Sequence, residues 1–166
     1  RTTLKNSLVD VLEVFCNNDY AVRTYLTKSA DDAERIVQEE GANYDVIVCA
    51  GGDGTLGNTV TGYMKSGIKV PLGYIPCGST NDFARSMDIP RETVEAAEMI
   101  VKAEPFSIDI GSLNDKNFVY VAAFGMFSDT SYATPQNMKN IFGHAAYVLQ
   151  GIKSLANVPS YKMKVT

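Results

Sequence analysis

One stretch, residues 46–64, limits the folds open to this chain more than any other, because a strand signal runs into a helix signal through glycines. The short apolar run Val46–Ala50 is rich in β-branched residues, as buried strands are. The loop Gly51–Thr55 (GGDGT) follows it. Apolar residues then recur at every fourth position, as on one face of a helix: Leu56, Val60 and Met64.

A strand that enters a helix through such a loop can hold a phosphate group. The free backbone N–H groups and the positive end of the helix dipole point to one place, and glycine lets a ligand approach the backbone closely. Asp53 or Thr55 can cap the first turn of the helix. A Gly-Gly or Asp-Gly pair is also typical of a plain turn, so the loop alone leaves both interpretations open.

A second loop of the same kind lies one strand further along the chain. Residues Val70–Pro76 have the pattern of another buried strand, and Cys77–Asp82 turns into a helix that begins near Phe83. Ligands of open parallel α/β sheets bind outside the carboxyl ends of the strands. We therefore expect the two loops to face one crevice.

Composition is that of a soluble globular domain. The 166 residues can bury a core of their own, and the apolar and charged fractions, 45% and 20%, are ordinary. The net charge of −4 gives no general attraction to nucleic acid. No apolar stretch approaches the ~20 residues of a transmembrane segment, and no signal peptide pattern is present. We predict a cytoplasmic protein with no nucleic acid partner.

Three motifs in order resemble the catalytic domain of the diacylglycerol kinase family, and its bacterial lipid kinase branch in particular. They are Gly51–Thr55 (GGDGT), Pro76–Arg85 (PCGSTNDFAR) and Ser107–Gly111 (SIDIG). NAD kinases and phosphofructokinases carry a similar first loop without the second stretch. The resemblance extends from about Leu4 to the last residue, and it implies the N-terminal domain fold of the NAD kinase/phosphofructokinase type.

Periodicity elsewhere predicts helices and strands that alternate along the chain. Helices are expected at Leu4–Phe15, Ser29–Gly41, Arg91–Val101 and Ala145–Ala156. Strands are expected at Tyr20–Thr27, Phe106–Gly111, Phe118–Gly125 and Ser160–Thr166. Ser29 and Asp32 form a variant of the capping box. The alternation predicts an α/β fold with a mainly parallel sheet flanked by helices, and the short connection at 112–117 predicts an antiparallel hairpin around it.

The resemblance also divides the chain into two parts. Residues 1–111 would form the α/β nucleotide-binding catalytic domain, without the first strand that the family carries. Residues 112–166 would supply the hairpin, a helix and the beginning of a truncated all-β second lobe. An unpaired strand at Ser160–Thr166 would be exposed or would pair between molecules, which leaves a homo-oligomer open.

Three aspartates, Asp53, Asp82 and Asp109, lie in the three motifs. Carboxylates beside a phosphate repel it unless a divalent cation lies between them, and Mg²⁺ binds one or two carboxylates together with phosphate oxygens. The resemblance implies that these aspartates form an acidic network that binds the nucleotide with its metal. Structural alternatives remain, because Asn81 or Asp82 can cap the helix at Phe83, and Asp109, between two isoleucines expected to be buried, can be held by a structural hydrogen bond.

Both loops offer groups to a nucleotide. The candidate residues are Gly51, Gly52, Asp53, Gly54 and Thr55 in the first loop and Gly78, Ser79, Thr80 and Asn81 in the second. The hydroxyls can bind phosphate or only stabilise their own turns, and Asn81 can contact a ribose or a base edge. Arg85 can reach the phosphates or lie in solvent. The first loop lacks the Gly-Lys-Ser/Thr ending of P-loop NTPases.

The resemblance implies an ATP-dependent lipid kinase that uses Mg²⁺ and transfers the γ-phosphate to a hydroxyl of diacylglycerol or a similar lipid at the membrane surface. The protein would be cytoplasmic with peripheral membrane contact, and this chain would be its nucleotide-binding part, weakly active or inactive alone. The catalytic base would be Asp53, as in the related sphingosine kinases, or would lie in the all-β lobe, as proposed for bacterial lipid kinases.

Two other functions stay open at this point. A NAD kinase-like or sugar-phosphate kinase would phosphorylate NAD or fructose 6-phosphate without any dependence on lipid micelles. A nucleotide or lipid sensor would keep the fold without turnover, and it would bind ATP tightly without forming product even when the second lobe is present.

Overall fold

The computed structural model describes residues 2–114 and 116–121. Backbone contacts divide the chain into the units Arg1–Val121 and Ala122–Thr166, and every described residue belongs to the first. The helices are α1 (Thr2–Cys16), α2 (Asp32–Glu40), α3 (Asp53–Ser66), α4 (Asp82–Ser86) and α5 (Thr93–Lys102). A 3-10 turn at Gly41–Asn43 follows α2. The strands are β1 (Ile47–Gly51), β2 (Leu72–Pro76), β3 (Gly111–Leu113) and β4 (Lys116–Phe118).

Strands β1 and β2 pair in parallel, with Ile47 opposite Leu72 and Gly51 opposite Pro76. The Cys77 N–H donates to the Gly51 carbonyl at 2.8 Å, which continues the pairing past the end of both strands. Because the strands are parallel and in this register, their carboxyl ends finish side by side. This places the two glycine loops at one edge of the sheet.

Helices cover both faces of this parallel pair. One apolar cluster joins α1 and α5 to β2: Val11, Phe15, Ile75, Ala96 and Ala97. The other joins α3 and α4 to both strands: Cys49, Leu56, Val60, Tyr74 and Ala84. Tyr74 and Ile75 are adjacent in β2 and enter different clusters, because successive side chains of a strand point to opposite faces. The predicted α/β fold with a parallel sheet flanked by helices is therefore confirmed for the described residues.

The turn that precedes helix α2 is held by the first residue of that helix. The Asp32 carboxylate accepts hydrogen bonds from the N–H groups of Lys28 (2.7 Å) and Ser29 (3.0 Å). These bonds favour the charged form and lower the pKa of Asp32 to about 2. Of the expected capping box, the bond from the Ser29 N–H to Asp32 is present, but the N-cap residue is Asp31 and the helix begins at Asp32 rather than at Ser29.

The predicted strand Tyr20–Thr27 is wrong, since residues 20–28 adopt no regular secondary structure. A strand needs a neighbour that accepts and donates its backbone hydrogen bonds. Within residues 2–114 and 116–121, β1 pairs with β2 and no strand pairs with this segment. Its apolar residues are also poorly covered, with Leu26 78% exposed. A β-type composition alone did not suffice to form a strand here.

The predicted hairpin is present, but its strands lie closer to the turn than expected. Residues 103–110 form no strand, so the assignment of Phe106–Gly111 is wrong except at Gly111. Instead β3 and β4 pair antiparallel inside the expected connection, with Gly111 opposite Phe118. The Asn117 N–H donates to Thr61 Oγ1 of α3 at 3.3 Å, which docks the hairpin on that helix. Of the predicted strand Phe118–Gly125, only Phe118 is in β4, residues 119–121 are not in a strand, and the rest lies outside the described residues.

The predicted helix Ala145–Ala156 and strand Ser160–Thr166 also lie outside the described residues. The same holds for the predicted beginning of an all-β second lobe. These assignments, and the division of the chain at residue 111, stay predictions.

Helices α2 and α3 approach each other most closely at Gly62. A Cβ atom at this position would overlap the carbonyl oxygen of Glu34, and it would lie 2.9 Å from the Glu34 Cα. The pair is also held by a salt bridge of 2.7 Å between Lys65 and Glu34, and by a hydrogen bond of 2.7 Å from Asn58 to the Ala30 carbonyl. Glycine at position 62 thus permits contact between the two backbones.

We expect Gly62→Ala to lower the free energy of unfolding by about 3 kcal/mol, because neither backbone can move aside cheaply. Urea denaturation of the purified protein measures this change. The control is Gly57→Ala in the same helix, where an added Cβ meets nothing within 4 Å. This control should raise stability by up to ~1 kcal/mol, since alanine favours helix more than glycine does. Equal stabilities of the two variants would contradict the assigned contact.

Candidate functional site

The two glycine loops are in direct backbone contact. The first joins β1 to α3, and the second joins β2 to α4. A Cβ atom built on Gly78 would lie 2.6 Å from the Gly52 Cα, so both positions must be free of side chains for the loops to meet. The expectation that the loops lie at one place is therefore matched by their geometry.

The first turn of helix α3 contains backbone N–H groups without an acceptor among the described residues. Its N-cap residue is Gly52, which makes no side-chain cap hydrogen bond, and Leu56 is the first residue to donate back to the Gly52 carbonyl (3.0 Å). In the described part of the chain, the N–H groups of Gly54 and Thr55 have no acceptor. The expectation that Asp53 or Thr55 caps α3 is wrong, because neither side chain makes that bond.

Open space lies beside these donors. Gly54 is exposed, and a Cβ built on it would meet no atom within 4 Å. Free N–H groups, the positive end of a helix of fourteen residues and a surface without side chains are together the features that bind phosphate oxygens. The start of α3 therefore has the features that an anion site requires, and binding of a phosphate there stays a prediction.

Asp53 connects the first loop to the second. Its carboxylate accepts hydrogen bonds from the backbone N–H groups of Asp82 (3.1 Å) and Phe83 (3.2 Å), so it caps α4 rather than its own helix. The N-cap residue of α4 is Asn81, which has a φ of 53° and makes no side-chain cap hydrogen bond. Asn81 thus occupies the N-cap position, one of the two expected alternatives, but its side chain does not make the capping hydrogen bonds. The cap comes from a residue of the other loop.

Asn81 shapes the second loop from inside. Its Oδ1 accepts the Gly78 N–H, and its Nδ2 donates to the Gly78 carbonyl, both at 2.9 Å. The side chain is 8% exposed. This amide is engaged within the loop, so contact with a ribose or a base edge stays a prediction. The Asn81 backbone lies in the left-handed region, which asparagine tolerates better than most residues do.

The hydroxyl groups of the two loops differ in exposure. Ser79 and Thr80 are exposed and Thr55 is half-buried. Among the described residues these hydroxyls have no hydrogen-bond partner, which leaves them available to a ligand. Arg85 is exposed and lies 3.9 Å from the Asp82 carboxylate, a surface pair that contributes little to stability.

Sequence reasoning missed Tyr74. This residue lies in β2, and its hydroxyl donates to the Gly51 carbonyl at 3.1 Å. Burial raises the pKa of Tyr74, and the nearby Asp53 carboxylate raises it further, so the hydroxyl remains a donor at ordinary pH. The available signal was a tyrosine in an apolar strand, because a buried tyrosine requires a partner for its hydroxyl.

The three predicted metal ligands, Asp53, Asp82 and Asp109, differ in their surroundings. Asp53 and Asp82 are neighbours, since Asp53 binds the backbone of Asp82. Asp109 is exposed in the segment 103–110, and Ile108 beside it is 40% exposed, so the expected burial of Asp109 is wrong. Over residues 2–114 and 116–121, no three His, Cys, Asp or Glu side chains are grouped to hold a metal ion.

A site with one or two carboxylates still fits Mg²⁺, because this ion takes its remaining ligands from water and phosphate oxygens. Asp82 is suited to this role, since its side chain is 40% exposed beside the loops. Asp53 keeps lone pairs beyond those that accept the two N–H groups. The assignment of all three aspartates to a metal stays a prediction.

Comparisons with known proteins agree with this arrangement. The family described as the diacylglycerol kinase catalytic domain matches residues 1–113. A diacylglycerol kinase of Staphylococcus aureus (strain JH9) is 34% identical over 165 residues, which are 97% of this chain and 51% of that protein. The chain thus spans about half the length of the curated relatives it matches.

A solved structure of a diacylglycerol kinase from Bacillus anthracis superposes on this chain with a TM-score of 0.65 at 30% identity. The superposition covers 69% of this chain and 40% of that one. The parallel pair β1–β2, the two contacting glycine loops and these matches lead to one conclusion. The chain belongs to the diacylglycerol kinase catalytic domain family.

Proposed function

We propose that the full-length protein transfers the γ-phosphate of ATP to a hydroxyl of a lipid, diacylglycerol or a similar one, and that this chain supplies the nucleotide-binding part. The observation that carries the proposal is the start of α3, where the Gly54 and Thr55 N–H groups have no acceptor among the described residues and lie beside open space there. The name of the S. aureus relative, diacylglycerol kinase, supports the lipid as acceptor.

Catalysis of phosphoryl transfer consists largely of positioning and electrostatic stabilisation, and each loop contributes different groups to it. The N–H groups of Gly54 and Thr55 bind phosphate oxygens, and the hydroxyls of Ser79 and Thr80 bind further oxygens or the ribose. When bound, Mg²⁺ neutralises charge on the transferred group, and Asp82 and Asp53 would hold it. The remaining candidate residues, Gly51, Gly52, Gly78 and Asn81, keep the loops in contact.

Asp53 is the candidate base within the described residues. A carboxylate within reach of the acceptor hydroxyl can orient it and take its proton. The two backbone bonds that Asp53 accepts hold the carboxylate in one orientation. A base in the second lobe is the alternative, and the Asp53→Asn variant separates the two.

The acceptor lipid would be reached from the membrane surface. In the described part of the chain, no helix is both long enough and apolar enough to cross a bilayer. We propose a peripheral contact between the full-length protein and the membrane, in the cytoplasm.

An acceptor panel tests the proposed activity. The full-length protein is incubated with labelled ATP and Mg²⁺, and with micelles of diacylglycerol or other lipids, NAD or fructose 6-phosphate. We expect label in a lipid product only. Label in NAD or the sugar phosphate would favour a kinase of soluble substrates, and ATP binding without any product would favour a sensor.

The phosphate cradle itself is tested by Gly54→Ala. A methyl group here meets no atom of the described residues within 4 Å, so the fold is retained, but the methyl occupies the space where we place the phosphates. We expect the dissociation constant of ATP to rise about tenfold, as for a loss of ~1.4 kcal/mol. Calorimetric titration measures this, with Gly57→Ala as the control because it adds the same methyl further along α3. Equal ATP affinity of the two variants would contradict the placement.

A further inference from the structure

The Tyr74 hydroxyl lies where the two loops leave the sheet. Tyr74 is 5% exposed and pairs with Cys49 across the parallel strands. Its ring packs against Phe83 of α4, with the ring centroids 6.1 Å apart. From this position the hydroxyl donates to the Gly51 carbonyl (3.1 Å) and lies 3.5 Å from Oδ1 of Asn81. One buried group therefore contacts both loops.

The Gly51 carbonyl accepts two hydrogen bonds, one from the Cys77 N–H at 2.8 Å and one from the Tyr74 hydroxyl. In a trans peptide, the C=O of one residue and the N–H of the next point in opposite directions. Because the Gly51 carbonyl is held toward Cys77 and β2, the Gly52 N–H points away from that strand. Over the described residues this N–H has no acceptor.

The hydroxyl acts as a donor throughout the working range of pH. Burial raises the pKa of Tyr74, and the negative charge of Asp53 raises it further. The anionic form, which would repel the Gly51 carbonyl oxygen, is thereby disfavoured. Asn81 Oδ1 accepts the Gly78 N–H at 2.9 Å and lies 3.5 Å from the Tyr74 oxygen, so the single hydroxyl proton is donated to the nearer Gly51 carbonyl.

We propose that Tyr74 is a positioning residue that orients the Gly51–Gly52 peptide, so that the Gly52 N–H joins those of Gly54 and Thr55 in binding the phosphates of the nucleotide. This inference rests on the proposed nucleotide site. It adds a residue from the sheet to that site, and it makes the geometry of the first loop depend on a side chain of the second strand.

The test compares Tyr74→Phe with Tyr63→Phe in the full-length protein. Each variant removes one hydroxyl that donates to a backbone carbonyl, because the Tyr63 hydroxyl donates to the Val70 carbonyl at 2.8 Å. Tyr63 lies in the body of α3, and its bond lies at the opposite end of β2 from the loops. In thermal unfolding measured without nucleotide, the midpoint temperatures of both variants should be lower than that of the unaltered protein, by similar and small amounts.

Only Tyr74→Phe should weaken nucleotide binding. We expect its ATP dissociation constant and its KM for ATP to rise roughly three- to tenfold, the range that corresponds to one net hydrogen bond. The KM for the lipid should stay unchanged. Tyr63→Phe should alter ATP affinity by less than about twofold, as surface and distant changes do. In ¹⁵N spectra without nucleotide, the Gly52 amide signal should move in Tyr74→Phe and not in Tyr63→Phe.

The outcomes separate the two proposals. If the unaltered protein binds no ATP, the proposed nucleotide site is wrong and the inference is wrong with it. If the unaltered protein binds ATP and the two variants bind ATP equally well, Tyr74 is only a buried residue whose hydroxyl has a hydrogen-bond partner. The proposed nucleotide site would then be retained. Failure of Tyr74→Phe to fold would also overturn the inference, since the hydroxyl would then maintain the core rather than orient a peptide.

Discussion

A methyl group added at position 78 should separate the two glycine loops and reduce lipid phosphorylation by the full-length protein about 100-fold, as a displacement of ~1 Å in a phosphoryl-transfer site can do. In Gly78→Ala the new Cβ would lie 2.6 Å from the Gly52 Cα and 2.7 Å from Oδ1 of Asn81. The first neighbour is backbone and the second is already bonded within the loop, so neither can move without opening the site. Activity and ATP binding should fall together.

Gly73→Ala is the matched control for this experiment. The three atoms nearest to its added Cβ all belong to the Ile100 side chain, with Cδ1 at 2.9 Å, and a flexible side chain can shift. Gly73 lies in β2 before the loop begins. We expect a moderate loss of stability and nearly normal ATP affinity. If Gly78→Ala binds ATP as Gly73→Ala does, the contact between the loops is not needed for the site.

The second large effect is expected for Asp53→Asn, which should lower the rate of lipid phosphorylation at saturating ATP by at least ~100-fold, the usual cost of losing a general base. The asparagine keeps one oxygen to accept a backbone N–H of α4, but its amide faces the second N–H. Loss of that charged hydrogen bond should cost about 2 kcal/mol of stability. Rate and stability are measured on the same preparations.

Asp32→Asn separates the two roles of Asp53. Asp32 also accepts two backbone N–H groups, those of Lys28 and Ser29, and it lies on α2 away from the glycine loops. We expect this variant to be less stable but to keep its full rate. If Asp53→Asn also keeps its rate, Asp53 is only the cap of α4, and the base is to be sought in the second lobe.

Local signals in the sequence were sufficient for the elements that carry the site. The β-branched run before Gly51 and the four-residue spacing of apolar side chains after Thr55 are both patterns among neighbouring residues. The strand β1 and the helix α3 form where these patterns predict them. The same holds for β2 and for the start of α4 near Phe83. These segments also contribute to the apolar clusters on the two faces of the sheet, so tertiary packing and local preference agree.

Pairing of strands was less predictable, because it depends on a partner elsewhere in the chain. Tyr20–Thr27 has the composition of a strand but no neighbour among the described residues, and it forms none. Residues 106–110 alternate as a strand would, yet the ladder begins only at Gly111, where Phe118 is opposite. Composition indicates how well a residue fits into a strand, but it does not indicate whether a second strand is present to pair with it.

The sequence alone determined the family, the α/β class and the identity of the two loops, because glycine spacing and hydrophobic periodicity can be recognised within a few neighbouring residues. The tertiary structure decided what individual side chains do. Asp53 crosses to the backbone of residues 82 and 83, and Tyr74 reaches back to Gly51. These bonds join residues that are more than twenty positions apart, and only the parallel register of β1 and β2 brings them within reach, because it ends both strands at the same level.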